Sequence, residues 1–373
     1  MVNKKRLTKT IQDLISIDSQ NPGSDESKIA DFVRAYLKDL GLKVNTYAFS
    51  NKRKNIIATL KAKKYAKSLL ITPHLDTVPA GENWKTNPFC AKIIGNRIYG
   101  LGATDCKGNL ASALEAINSI VEDGIKLEYN LIFAATADEE SGSSLGLIPL
   151  LERKILKADA AVVLDADDFE IVITQKGLMH LKVKISGKKA HGAYPWLGAN
   201  AIDIAAKVIV DLQKQHKGQL KNKYLRGPTI NVGTIKGGDK VNVVSDWCEF
   251  ELDFRFLPGS SEKELLRFLR KTITKYTVNF KIEIQGMQNP YYIDPQHHLV
   301  RGLLLASKGL KINPRISGSE GATVITFFKE KGIPAVATGF GTEGCAHIAD
   351  EYASLDNLYN GARVLVEFLK NYK

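Results

Sequence analysis

Short apolar runs of strand length alternate with amphipathic helical stretches along most of this chain, and the alternation is interrupted once by a different pattern. Residues 5–16 carry Leu7, Ile11, Leu14 and Ile15 at helical spacing. Residues 25–40 do the same with Ile29, Phe32, Val33, Tyr36, Leu37 and Leu40, with Ser24 as the expected N-cap and Gly41 as the stop. β-like runs follow at 42–49, 55–61 and 68–74, then a helix at 109–122 and buried strands at 129–137 and 160–165. Strands that alternate with helices bury both sheet faces under helix, so this part predicts an α/β domain with a substantially parallel sheet.

The character changes near residue 174. Along 177–186, Leu178, His180 and Lys182 fall on one face and Met179, Leu181, Val183 and Ile185 on the other, which is the period of a sheet with one wet face. A helix at 200–214, strands at 228–234 and 245–256, a helix at 261–276 and a strand at 277–284 complete the order β-α-β-β-α-β, a compact α+β unit of ferredoxin-like type. After Gln288-Asn289-Pro290 the first pattern returns, with helices at 298–309, 322–331 and 354–372 and a strand at 335–339. The expected organisation is an α/β domain of residues 1–174 and 288–373, with residues 175–287 inserted.

Composition closes off several classes. The 373 residues are 44% hydrophobic and 25% charged, which excludes a disordered or collagen-like chain. The net charge of +12 raises nucleic acid as a partner. The lysines are scattered, however, with mild clusters at 52–54 and 61–67 and no recognition helix or aromatic–basic platform, so none is expected. No apolar run approaches the roughly 18 residues that span a bilayer, and no apolar signal core follows the basic start, so no membrane partner and a cytoplasmic location are expected. Cys90, Cys106, Cys248 and Cys345 form neither a Cys-x-x-Cys pair nor a disulfide framework and read as reduced thiols.

Polar residues sit where the apolar strands end: His74 and Asp76, Asp105, Asp138-Glu139-Glu140, Asp165, and His347. Carboxyl ends of strands form the ligand crevice of open α/β sheets. Carboxylates gathered there repel one another unless a cation neutralises them, and histidine with carboxylate favours a divalent metal such as zinc. In His74-x-Asp76 the carboxylate is placed to orient the imidazole. Neighbours Glu139 and Glu140 point different ways on an extended segment, so one can bind metal while the other acts as a base. Asp105 is a candidate bridge between two metals. Each residue alone has an ordinary alternative: a core or surface histidine, a solvated acidic loop, a turn before a helix.

At these residues the chain resembles the co-catalytic zinc peptidases and deacylases that include acetylornithine deacetylase, succinyl-diaminopimelate desuccinylase, aminoacylase and glutamate carboxypeptidase. The stretches that carry the resemblance are Ser19-Gln20-Asn21-Pro22, Pro73-His74-Leu75-Asp76-Thr77-Val78-Pro79, Tyr99-Gly100-Leu101-Gly102-Ala103-Thr104-Asp105-Cys106-Lys107-Gly108 and Asp138-Glu139-Glu140-Ser141-Gly142. Gly187-Lys188-Lys189-Ala190-His191-Gly192, Asp253-Phe254-Arg255-Phe256-Leu257-Pro258-Gly259 and Ala346-His347-Ile348-Ala349-Asp350-Glu351 follow.

The resemblance implies a zinc-peptidase-like catalytic domain and an inserted lid and dimerisation domain at 175–287, hence a homodimer. It implies two Zn²⁺, with Co²⁺ or Mn²⁺ as substitutes: His74 and Asp165 on one, Glu140 and His347 on the other, Asp105 between them. Asp76 would orient His74, and Glu139 would be the general base. His191 would reach a partner's site to stabilise an oxyanion, Arg255 would bind a substrate carboxylate, and Asn242 would lie near the same pocket. Ser319, within the loosely matched Ser317-Gly318-Ser319-Glu320-Gly321-Ala322, would fall in a loop that shapes it. The alternative for Arg255 is a strand salt bridge with Asp253 or Glu251. The implied reaction is hydrolysis of an amide bond in a small N-acyl amino acid, or in a short peptide. Two departures stand out: aspartate at 165, where the deacetylases often carry glutamate and the family's amino- and dipeptidases aspartate, and Cys106 where methionine is common.

Overall fold

Four neighbouring parallel strands make the middle of the larger sheet of the computed structural model, which describes residues 1–22, 25–62, 67–215 and 222–372. In spatial order they are Asn130–Ala135, Ser68–Thr72, Ala160–Leu164 and Ala335–Thr338. Their Leu, Ile, Val, Phe and Ala side chains are buried almost throughout, as in strands covered on both faces. Antiparallel strands extend both sides: Lys54–Leu60 and Lys43–Ala48 beyond one, Ile171–Gln175 beyond the other. This is the mixed, largely parallel α/β sheet expected from the sequence.

Helix Lys107–Glu122 is buried along nearly its whole length, packed between Lys4–Ser16 and Leu355–Asn371. A carboxylate inside such a layer needs a partner. Glu115 is fully buried and forked by Arg6, Nε to Oε2 at 2.7 Å and Nη2 to Oε1 at 2.8 Å, with the Asn3 N–H donating to Oε1 at 2.6 Å. Helix Ser27–Asp39 begins later than expected, with Glu26 at the cap position; Ser24 lies outside the described residues. Three short strands escaped the sequence reading, Lys92–Ile94, Arg97–Tyr99 and Tyr352–Ser354, which form a small antiparallel sheet. No helix among the described residues is long and apolar enough to cross a membrane.

The chain divides into two compact units: Met1–Ile173 with Ile293–Ser317 and Phe327–Lys373, and Thr174–Tyr292 with Gly318–Thr326. In the second unit, strands Thr229–Gly237, Trp247–Phe256, Gly177–Ser186 and Phe280–Gln288 form an antiparallel sheet in that spatial order. Met179, Leu181, Val183 and Ile185 turn inward onto Ala201, Ala205, Val208 and Leu212 of helix Ala201–Gln215 and Leu269 and Ile273 of helix Glu262–Thr274. The second helix opens with a Ser261–Glu264 capping box. Residues 318–326 stood with the first domain in the sequence reading but group here with the second unit. Gln175 Oε1 accepts from Thr323 N–H at 3.0 Å, Lys176 N–H donates to Ser319 O at 3.2 Å, and the buried Lys176 ammonium pairs with Glu320.

Candidate metal centre

The four parallel strands end at one edge of the sheet. Ser68–Thr72 leads to His74, whose backbone still bridges Thr136; Asn130–Ala135 leads to the turn Asp138-Glu139-Glu140-Ser141. Ala160–Leu164 runs directly into Asp165, and Ala335–Thr338 leads into the loop bearing His347. Asp105 stands two residues before helix Lys107–Glu122. Parallel order therefore delivers side chains from distant sequence positions to one crevice.

Asp105 lies between two imidazoles. Its Oδ1 is 2.9 Å from His74 Nε2 and its Oδ2 is 3.1 Å from His347 Nε2. His347 Nε2 is also 3.3 Å from Glu140 Oε1. The ligand atoms of Asp105, Glu140 and His347 all lie within 4.8 Å of one another, as do those of His74, Asp105 and Cys106. Asp165 and Glu139 are outside these tight groups, yet both are half-buried and feel the charge of Asp105.

His74 Nδ1 donates to the main-chain carbonyl of Asp76 at 3.0 Å, while the Asp76 carboxylate is 3.5 Å away. A carbonyl only accepts, so Nδ1 carries the hydrogen and Nε2 is left for a ligand. The carboxylate of Asp76 has other work: it accepts from Glu139 N–H at 3.1 Å, Glu140 N–H at 3.0 Å and Asn21 Nδ2 at 2.8 Å. Burial pushes its pKa up, but His74 and these donors outweigh burial and hold it below the usual value.

Like charges crowd the rest of the site. Burial and the charge of Asp105 push Asp165 up to about 7. Burial and Asp165 hold Glu139 well above the ordinary carboxylate range. Hydrogen bonds to Asp105 and Glu140 raise His347 to about 10. Burial opposes the charge on Asp105, yet contacts with His347 and His74 win and hold it low. This donor set fits a pair of divalent cations. One carboxylate offers an oxygen toward each of two histidines, and the buried negative charges around it are the kind a cation reconciles.

Glu351, a residue that sequence reasoning gave no role, supports the site. Glu351 is buried and accepts from the N–H groups of Gly102 at 2.8 Å, Thr104 at 2.8 Å and Asp105 at 3.0 Å, which fixes the turn that presents Asp105. His347 has φ 62°, a left-handed conformation costly for a non-glycine residue and held by its surroundings. The Cys106 thiol donates to Leu164 O at 2.8 Å and burial pushes it up to about 11, so it is a protonated strut and not a reactive thiolate.

His191, Asn242, Arg255 and Ser319 belong to the second unit. His191 is exposed and its Nδ1 accepts the Ala193 N–H at 3.0 Å. Asn242 O accepts the Gly192 N–H at 2.7 Å. The Arg255 guanidinium is forked onto Asp253 at 2.7 and 2.9 Å. Ser319 Oγ donates to Gly321 O at 3.2 Å.

The model of peptidase family M20/M25/M40 matches residues 70–371. The chain belongs to this family. It is therefore a member of a family of metal-dependent hydrolases that act on amide bonds. A metallohydrolase of Methanocaldococcus jannaschii is 30% identical over 96% of this chain and 97% of its own length. Acetylornithine deacetylase of Edwardsiella ictaluri is 29% identical over 96% of this chain and 94% of its own. The crystal structure of an aminopeptidase of Bacillus cereus superposes with a TM-score of 0.82 at 25% identity, covering 99% of this chain and 98% of that one.

Proposed function

We propose that this M20-family chain hydrolyses the amide bond of a small N-acyl amino acid, in the manner of a deacetylase or desuccinylase. The observation that carries the reading is Asp105, with one carboxylate oxygen on each of His74 and His347 and the half-buried Glu139 close by. His74 and Asp165 would hold one zinc and Glu140 and His347 the other, with cobalt or manganese as substitutes. Bound there, two divalent cations supply polarisation of an amide carbonyl and a nucleophilic water at neutral pH. The chain's residues do the rest. The Glu139 carboxylate accepts the proton of the attacking water and returns it to the nitrogen of the leaving amine. Asp76 holds the Glu139 and Glu140 backbone while its carbonyl fixes the His74 ring. With His191 Nδ1 accepting from Ala193, a neutral ring carries its hydrogen on Nε2, which suits donation to an oxyanion. Arg255 would bind a substrate carboxylate in exchange for Asp253, with Asn242 and Ser319 beside it.

A second reading, an exopeptidase or dipeptidase with the same chemistry, is favoured by aspartate at 165 and by the likeness to the Bacillus cereus aminopeptidase. A second copy of the chain is the proposed partner of residues 175–287. The exposed apolar residues Ile202, Val210 and Ile235 of that unit support a homodimer, which light scattering would test. The free cysteines suit the cytoplasm. The deciding experiment pits N-acetyl, N-succinyl and N-formyl amino acids against dipeptides, after chelation and reloading with zinc, cobalt or manganese. Amine release from acyl amino acids alone is the expected result. Cleavage of dipeptides alone would select the second reading, and turnover unaffected by chelation would overturn both.

A further inference from the structure

We propose that Asn21, anchored by Arg53, is a positioning residue that holds the acidic turn 138–141 in its working shape. The inference rests on the reading of Glu139 as base and Glu140 as ligand. The motif Ser19-Gln20-Asn21-Pro22 has no role in the chemistry above. Residues 19–21 are pinned alongside 75–77: Asn21 N–H donates to Thr77 O at 2.7 Å, Thr77 N–H to Ser19 O at 3.1 Å, and Ser19 Oγ to Leu75 O at 2.9 Å. This seats the Asn21 side chain, 2% exposed, behind the turn.

Its amide is saturated. Nδ2 donates to Asp76 Oδ2 at 2.8 Å and to Asp138 Oδ1 at 3.3 Å; Oδ1 accepts from Arg53 Nη2 at 3.0 Å and from Ser141 Oγ at 3.0 Å. These partners fix the amide's orientation, because a flip would set Oδ1 against two carboxylates. One side chain thus touches the turn at both ends, Asp138 and Ser141, and reaches its middle through Asp76, whose oxygens accept from Glu139 N and Glu140 N. Asp138 has φ 65°, so the turn is not one its sequence adopts freely. Arg53 supplies the cation: its Nη1 donates to the fully buried Glu26, which in turn accepts from Asp138 N–H at 3.3 Å. Without Asn21, Asp76 and Asp138 lose a shared donor and face each other across a gap.

Two readouts of Asn21→Ala test this, hydrogen exchange and kinetics. Amide exchange across residues 138–146 should speed about tenfold, with the core strands unchanged. The kcat of the metal-loaded enzyme should fall about 10²-fold with KM within about twofold and metal content unchanged. Arg53→Ala should show the same two losses, and Arg53→Lys, which keeps a cation beside Glu26, should stay nearer wild type in both. Asn21→Ser repeats the test if the alanine variant does not fold. Wild-type exchange, or wild-type kcat, in a folded Asn21 variant overturns the proposal. Should the unmodified enzyme turn over neither acyl amino acids nor dipeptides, the functional reading fails, while exchange at 138–146 still decides whether Asn21 holds the turn.

Discussion

On the solvent face of the second unit's sheet, charges come in opposite pairs. Lys182 meets Glu251 at 3.1 Å, Lys184 meets Glu283 at 3.0 Å, and Arg255 meets Asp253 at 2.7 Å. At the strand ends of the first unit, Asp105, Glu139, Glu140 and Asp165 share two histidines instead: burial and like charge raise Glu139 and Asp165, while hydrogen bonds to Asp105 and Glu140 raise His347. The residue types overlap; their bookkeeping differs. Where cross-strand neighbours neutralise a carboxylate in water, the charge is a solubility and register feature. Where a fold gathers more carboxylates than its own cations match, it has kept room for something else.

The largest way to break the comparison is at the base. Glu139→Gln should lower kcat by about 10³- to 10⁴-fold with metal content unchanged. Equal turnover in the variant, measured beside elemental analysis, would remove Glu139 from the chemistry. Next is a carboxylate buried in the same unit but matched: Glu115→Ala strands Arg6 against helix Lys107–Glu122 and should cost about 3 kcal/mol in urea unfolding, with kcat per folded enzyme unaffected.

A third test uses pH on metal-stripped protein. The folded Asp165 carboxyl is held at about 7, above its unfolded value near 3.8, so the folded state binds the extra proton between them. Its stability contribution therefore falls as pH rises from about 4 to about 7. Thermal melts in chelator should show that slope, and Asp165→Asn should flatten it; identical slopes in both proteins would refute the crowding. The smallest effect belongs to the sheet-face pairs. Lys182→Ala should move the melting temperature least, since Lys182 and Glu251 are half-exposed and solvent screens their pairing.

Much of the site was legible because parallel strands convert sequence order into a row of side chains at one edge. His74, Glu140, Asp165 and His347 follow four apolar strands, so reading the strands singled them out as candidates. The inward face Met179, Leu181, Val183 and Ile185 was legible for a similar reason, because a pleat has a fixed period. What a side chain does once it arrives depends on partners far away in the sequence. Glu351 reaches back to the Asp105 turn, Asn21 reaches forward to Asp76 and Asp138, and His74 leans on a carbonyl where its carboxylate had been expected. No local spacing announces such contacts. Residues 318–326 were misplaced on the same ground, since membership of a unit is set by Gln175 and Lys176, not by neighbours along the chain.

That segment has a consequence for anyone who treats this protein as modular. Gly318–Thr326 is flanked on both sides by first-unit sequence yet packs with Thr174–Tyr292, so the backbone passes between units four times. The inserted piece is not one cassette. A graft from a relative that carried only 174–292 would leave the newcomer's equivalents of Gln175 and Lys176 facing a host loop they did not evolve with. The unit to exchange is a pair of separate segments, and chimeras that swap both should fold where those that swap one do not.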